Sequence, residues 1–258
     1  MSAQSVSLGG RRVARIGLGT NRLKNTPESV AFIRAAVDAG VQMIDTAHLY
    51  TKGESEQAIG RALSPAPDGV IVATKGGHFG YGSPGTPEVL QREIEQSLKS
   101  LQTERIALYY LHRVDPNVPI EESLGAIKEY VDRGQIEQVG ISEVDIPTIE
   151  RARKVVPIAA VQNHYNLEER KYDDVVDYCE REQIAFLPFF PLKAEPSGAV
   201  KEIAKRHHAT TAQVMLAWLL ARSPAMLPIP GTLSLEHLKE NLAATTLELS
   251  SAEIGQLG

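Results

Sequence analysis

Short apolar runs alternate along this chain with amphipathic stretches. Residues 6–8 and 11–13 flank Gly9-Gly10 and read as a small hairpin, whose expected role is to cap the bottom of a core. Eight apolar runs then follow, at 16–20, 43–47, 70–75, 106–111, 136–141, 159–161, 184–190 and 226–229, with the length of buried strands. The pattern between and after them predicts helices at 27–39, 54–63, 88–101, 120–133, 146–155, 172–182, 198–208, 212–222 and 235–244. Leu90, Ile94, Leu98 and Leu101 show the helical spacing. Pro27 opens the first helix, Pro147 is tolerated in a first turn, and Gly40 and Gly134 act as stops. An unbroken βα alternation of this length predicts an α/β fold, a (β/α)8 TIM-type barrel with an N-terminal β-hairpin. The runner-up is an open doubly wound sheet, which wants a glycine-rich phosphate loop after its first strand. Residues 17–22 carry only two of the three fingerprint glycines.

Composition narrows the class. The 258 residues suit one barrel domain spanning 1–258 better than two domains. Charged residues make up 23% and the net charge is −5, which argues against a nucleic-acid surface. The single cysteine, Cys179, excludes an internal disulfide and a cysteine-rich metal site. No signal peptide and no membrane-spanning run is expected, so a cytoplasmic protein is the default.

The informative regularity is polar. Asp45, Lys75, His112, Ser142 and Gln162 end successive strands, and Tyr50 follows Asp45 by five residues. A barrel brings such positions together at its C-terminal mouth. A tyrosine hydroxyl has a reference pKa of about 10, and a nearby ammonium favours its phenolate. Asp45 can hold a buried Lys75 by a charge-assisted bond, and His112 can donate to a substrate carbonyl oxygen and orient it toward Tyr50. That set is a proton donor for a carbonyl receiving hydride. No side chain supplies hydride, so a nicotinamide cofactor is implied.

The order Asp45, Tyr50, Lys75, His112 resembles the catalytic tetrad of the aldo-keto reductases. Residues 40–50 (Gly-Val-Gln-Met-Ile-Asp-Thr-Ala-His-Leu-Tyr) resemble the family's signature around its Asp and Tyr, and Tyr110-Leu111-His112 resembles the strand ending on its His. Val139-Gly140-Ile141-Ser142 and Val161-Gln162-Asn163 resemble the stretches that hold the nicotinamide carboxamide. Phe189-Phe190-Pro191-Leu192 resembles the segment whose first aromatic stacks on the nicotinamide and whose backbone approaches the pyrophosphate. Residues 229–241, with Gly231, Thr232, His237, Glu240 and Asn241, resemble the segment that binds the adenosine end. The resemblance implies an NADP-dependent carbonyl reductase, with Gly19, Thr20, Asp45, Ser142, Glu143, Gln162 and the two segments just named around the cofactor. Within the family, residues 188–192 and 229–232 look most like a bacterial branch that includes pyridoxal reductases.

Departures change the expectation. Glu143 stands where the family commonly has Asn, and an ionised carboxylate cannot donate to an amide carbonyl. Gly231 and His237 stand where many members carry the Lys and Arg that read the 2′-phosphate, so NADPH is the expected cofactor with NADH possible. The loops after His112 and at 193–197 are short, and the tail after the last helix is truncated relative to larger members. An open site with broad substrate selection is expected, walled by the 76–87 loop through His78, Phe79 and Tyr81, with His48 as a further pocket residue. Trp218 reads as core, and His164 as a structural histidine. A metal hydrolase using Asp45, His112 and His164 lacks a paired-histidine motif, so no metal is expected. The expected partner is a small aldehyde or ketone, with the chain a monomer or weak dimer. The alternative is a nicotinamide-binding redox sensor or regulatory barrel, since fold alone does not settle function.

Overall fold

The computed structural model describes residues 5–258. Strands β1 (Ser5–Leu8) and β2 (Arg11–Ala14) form the hairpin, and Gly9 and Gly10 both take the positive φ that its two-residue turn requires. Strands β3 (Leu18–Gly19), β4 (Met43–Asp45), β5 (Ile71–Gly76), β6 (Ile106–Leu111), β7 (Ile136–Ser142), β8 (Ile158–Gln162) and β9 (Ala185–Phe186) line up in chain order as one parallel sheet. Helices α1 (Pro27–Asp38), α2 (Glu54–Leu63), α3 (Pro87–Ser100), α4 (Ile120–Asp132), α5 (Ile146–Arg153) and α6 (Asp173–Arg181) connect successive strands from β3 to β9. Helices α7 (Gly198–Arg206), α8 (Thr211–Arg222), α9 (Leu235–Ala243) and α10 (Ser251–Leu257) complete the chain. Polar caps start them where the sequence supplies an acceptor: Thr26 accepts from Ser29 N at α1, and Thr210 with Gln213 makes a capping box at α8.

Three expectations need correction. The eighth strand, expected at 226–229, is not a continuous strand. It closes the ring through single bridges, Phe186 to Met226 on one side and Gly19 to Gly231 on the other. Leu227 N donates to Phe186 O at 2.9 Å, while Gly17 N and Gly19 N donate to Pro228 O and Pro230 O at 2.9 and 3.1 Å. Pro228 and Pro230 have no N–H, so this stave mostly accepts and a regular ladder cannot form. The strand expected at 184–190 is regular only over Ala185–Phe186, because Pro188 interrupts it. Its backbone still follows β8, with Leu187 N and Phe189 N bonded to Val161 O and Asn163 O at 2.8 and 3.1 Å. The helix expected as the last is followed by α10, opened by a capping box of Ser250 and Glu253.

Apolar side chains fill two layers. One lies between sheet and helices. The other lies inside the ring, where Val6, Leu8 and Val13 of the hairpin pack with Leu108, Tyr110 and Leu227. The hairpin therefore plugs the end of the ring opposite the strand C-termini. Among the described residues no helix is long and apolar enough to cross a membrane.

Candidate active site

At the open end the strands stop on polar side chains. Lys75 Nζ donates to Asp45 Oδ2 and to Thr46 O, each at 2.7 Å, and stands 3.4 Å from the Tyr50 hydroxyl. Gln162 Nε2 donates to the other Asp45 oxygen at 2.8 Å. Asp45, Lys75 and Gln162 are buried, so each polar group needs a partner and the network supplies it. Behind Asp45, the Ser55 hydroxyl at the start of α2 lies 2.9 Å from Thr20 Oγ1 and 2.7 Å from Thr46 Oγ1, and Thr20 Oγ1 donates to Asp45 O at 2.8 Å. This web fixes the β4 end.

Tyr50 is presented by an irregular turn, Tyr50–Gly53. Thr51 and Lys52 take φ of 48° and 58°, a left-handed conformation uncommon for non-glycine residues and least suited to a β-branched one. The Thr51 hydroxyl donates to Leu23 O at 2.6 Å and helps hold the turn. The Tyr50 ring meets His112 edge-on at 5.9 Å, and His112 in turn meets His78 edge-on at 4.6 Å.

Electrostatics assign protonation states. Burial pushes the Tyr50 phenol up from its ordinary value, Lys75 beside it pulls down, and the net direction is up. The expected lowering by the ammonium is thus outweighed, and the phenol keeps its proton at neutral pH. Burial disfavours the Lys75 ammonium, but the Asp45 carboxylate and Tyr50 more than compensate, so it stays a cation. Burial, then Lys75, His78 and Arg113, hold His112 well below the usual histidine range. It is a neutral imidazole, with a buried Nδ1 that has no partner among the described residues.

A cavity of about 920 Å³ opens over these groups. Gly19, Thr20, Asp45, Tyr50, His78, Tyr81, His112, Gln162, the segment from Phe189 to Leu192, and Gly231 all line it. Its Gly19 wall needs a glycine, because an added Cβ would stand 2.8 Å from Ile229 O.

Other expected site residues are placed elsewhere. His48 and Phe79 do not line the cavity: His48 turns toward Glu56, with Nδ1 3.9 Å from its carboxylate, and Phe79 faces solvent. Ser142 is buried, and its hydroxyl accepts from Arg113 Nη1 at 2.8 Å. Glu143 takes φ of 56°, a conformation that Asn tolerates better than Glu, and its carboxylate accepts from His164 N at 2.6 Å. Thr232, His237, Glu240 and Asn241 lie on or just before α9 and are not on the cavity wall. His164 stacks on Phe189 with ring centroids 5.3 Å apart.

Sequence reasoning missed the cations of this cavity, Arg22, Arg113 and Lys193. Arg113 directly follows His112, and strand alternation turns such a neighbour away from the mouth. The side chain is long enough to fold back across to β7. Arg22 and Lys193 sit in loops, where charge carries no directional signal.

Comparison with known proteins identifies the family. The model of the Aldo/keto reductase family matches residues 15–197 and 193–258. The chain belongs to that family. Pyridoxine 4-dehydrogenase of Escherichia coli is 33% identical over 280 residues, covering 100% of this chain and 98% of that protein. A thermostable aldo-keto reductase crystallised with the inhibitor epalrestat superposes with a TM-score of 0.90 at 32% identity, over 99% of this chain and 98% of that one. An aldo-keto reductase from Klebsiella pneumoniae in complex with NADPH gives 0.89 at 28% identity, over 100% and 94%. The curled parallel sheet with its N-terminal hairpin is thus the barrel of this family, and the protein is an oxidoreductase of the aldo-keto reductase kind.

Proposed function

We propose that this protein reduces an aldehyde or ketone with NADPH, using Tyr50 as the proton donor. The observation that carries the reading is Lys75 Nζ placed between Asp45 Oδ2 (2.7 Å) and the Tyr50 hydroxyl (3.4 Å) at the floor of an accessible cavity. A purely structural ion pair does not need a phenol beside it on a cavity wall.

The residues present fit a nicotinamide dinucleotide. The cavity is large enough for one end of it and a small substrate. Phe189 offers a flat apolar face, Gly19 keeps a wall free of side chain, and Ser142 and Gln162 offer hydrogen bonds at adjacent strand ends. Ser142 already accepts from Arg113, which leaves its proton free to donate to the carboxamide oxygen. When bound, the cofactor supplies hydride to the carbonyl carbon. His112, neutral, donates a hydrogen bond to the carbonyl oxygen and orients it. Tyr50 gives its proton to that oxygen as charge develops there. Lys75 stabilises the phenolate left behind, and Asp45, steadied by Gln162, keeps Lys75 in place. Gly231 and His237 weaken the usual reading of the 2′-phosphate, so NADH is expected to serve as a poorer alternative.

Paired fluorescence titrations with NADPH and NADH, followed by turnover on a carbonyl panel that includes pyridoxal, test the reading. Tyr50→Phe is expected to lower kcat by about 10²–10⁴-fold, the usual worth of a positioned general acid. Its cofactor Kd is expected to stay within about twofold, a change near the size of RT. Turnover retained by that variant removes Tyr50 from the role. Cofactor binding without turnover of any carbonyl by the native protein supports the regulatory alternative instead.

A further inference from the structure

Arg113 has no part of its own in the chemistry above. Its Nη1 donates to His112 O at 2.7 Å and to Ser142 Oγ at 2.8 Å, which ties the guanidinium across the mouth from β6 to β7. Among the described residues Nε and Nη2 have no acceptor, and no carboxylate lies within ion-pair distance. Those two nitrogens carry the parallel N–H pair of the guanidinium, the fork that takes a carboxylate or phosphate through two bonds. Glu143 is the acid whose charge reaches Arg113, but His164 N holds its carboxylate at 2.6 Å.

The position is also informative. Arg113 lines the same cavity as Tyr50, His78, Tyr81 and His112, and its Cζ lies 5.4 Å from the Phe189 ring centroid. The cavity wall carries Arg22, Arg113 and Lys193 against a single acid, Asp45, which is paired with Lys75. On the reductase reading Lys193 adjoins the 190–192 segment and Arg22 donates to Gly231 O, so both belong to the cofactor's side of the cavity, whereas Arg113 stands beside His112. A neutral substrate would leave the Arg113 fork half-desolvated without a charged acceptor.

We propose that the Nε–Nη2 edge of Arg113 binds an anionic substituent, a carboxylate or phosphate, on the carbonyl substrate. The preferred substrates are then aldehydes or ketones that carry an acid group within reach of the reacting carbonyl. This rests on the reductase reading, with Tyr50 and His112 acting on the carbonyl and Arg113 holding the far end. Arg113 is a specificity-determining residue, and its effect belongs mainly in KM.

The test compares matched pairs: the ortho, meta and para formylbenzoates against their methyl esters, and pyridoxal 5′-phosphate against pyridoxal. The native enzyme is expected to favour the anion of at least one pair by about tenfold in kcat/KM, the size of a charge-assisted bond at a half-open site. Which pair responds distinguishes carboxylate from phosphate. In Arg113→Met that anion-to-neutral ratio is expected to fall about tenfold, and Arg113→Lys is expected to restore part of it. A native ratio at or below one for every pair overturns the proposal, as does a ratio unchanged in Arg113→Met. An NADPH Kd that weakens in Arg113→Met while the ratio stays constant also overturns it, by assigning Arg113 to the cofactor.

Calorimetric binding of benzoate to the protein–NADP⁺ complex, with benzamide as the neutral control, separates the two readings. Benzoate binding that is lost in Arg113→Met, without turnover of any carbonyl by the native protein, keeps the anion site and removes the reductase reading. Turnover without anion preference does the reverse. Neither turnover nor benzoate binding overturns both.

Discussion

The two ends of the barrel are built from opposite materials. At the hairpin end, Val6, Leu8 and Val13 share an apolar cluster with Leu108 and Leu227 and form a plug. At the other end, Asp45, Lys75, His112, Ser142 and Gln162 are as deeply buried, yet all are polar and their partners are mostly one another or nearby backbone and side-chain groups. Backbone strain follows the same division. Among the described residues, Gln102, Gln183 and His208 take positive φ just past helix C-termini, a common stop. The other non-glycine residues with positive φ, Thr51, Lys52, Glu143 and Phe190, all lie in segments that follow strands at the open end. One end is optimised for burial. The other holds desolvated charge and unfavourable backbone, which persist only where the surroundings over-determine them.

Lys75→Met is the strongest way to break that contrast. It leaves Asp45 buried without its cation, so the folded state is expected to lose about 3–5 kcal/mol, measured by urea denaturation, along with carbonyl reduction. A variant as stable as the native protein would mean that the mouth network contributes nothing to the fold. Leu8→Ala attacks the other end. Leu8 is fully buried in the plug, and its truncation is expected to cost about 3 kcal/mol. Turnover per folded molecule is expected to remain near native, because no hairpin side chain lines the cavity. A matching fall in kcat would show that the ends are coupled.

The smallest effect comes from Glu56, a buried carboxyl on α2 that resembles Asp45 in burial but has no lysine. Its Oε1 accepts from the Thr74 hydroxyl at 2.6 Å, while Oε2 has no hydrogen bond. Burial pushes its pKa above the ordinary 4.5 despite that bond. A raised folded-state pKa means its stabilising contribution is complete below the unfolded value and is lost as pH rises through the folded one. Glu56→Gln is therefore expected to gain stability relative to the native protein from acid to neutral pH, seen as a flatter profile of denaturation midpoint against pH. Parallel profiles would mean that Glu56 is not the titrating group.

Most of the barrel was legible because its signals are local. Each apolar strand and the caps at Thr26 and Thr210 sit within a few residues of what they control. The same local signal exists for α10, in Ser250 and Glu253, but the segment is too short and polar to show an apolar periodicity. The apolar residues of the eighth stave predict a strand, while Pro228 and Pro230 argue against a ladder. Within the candidate site, Asp45, Lys75, His112 and Gln162 are legible as polar ends of apolar runs, and Tyr50 from its place five residues after Asp45. His48 and Phe79 were not separable from true wall residues, because loop sequence does not encode which way a side chain turns.

Alone, the sequence determined the order of elements, the family, and the presence of an Asp, a Lys and a His at strand ends with a Tyr five residues after the Asp. The periodicities behind those readings are properties of neighbouring residues. Only the tertiary structure decided how the ring closes past its prolines, that burial outweighs Lys75 at the Tyr50 phenol, and that Arg113 crosses to Ser142 with its fork free. Those outcomes depend on distance and desolvation between residues far apart in the chain, which no local pattern records.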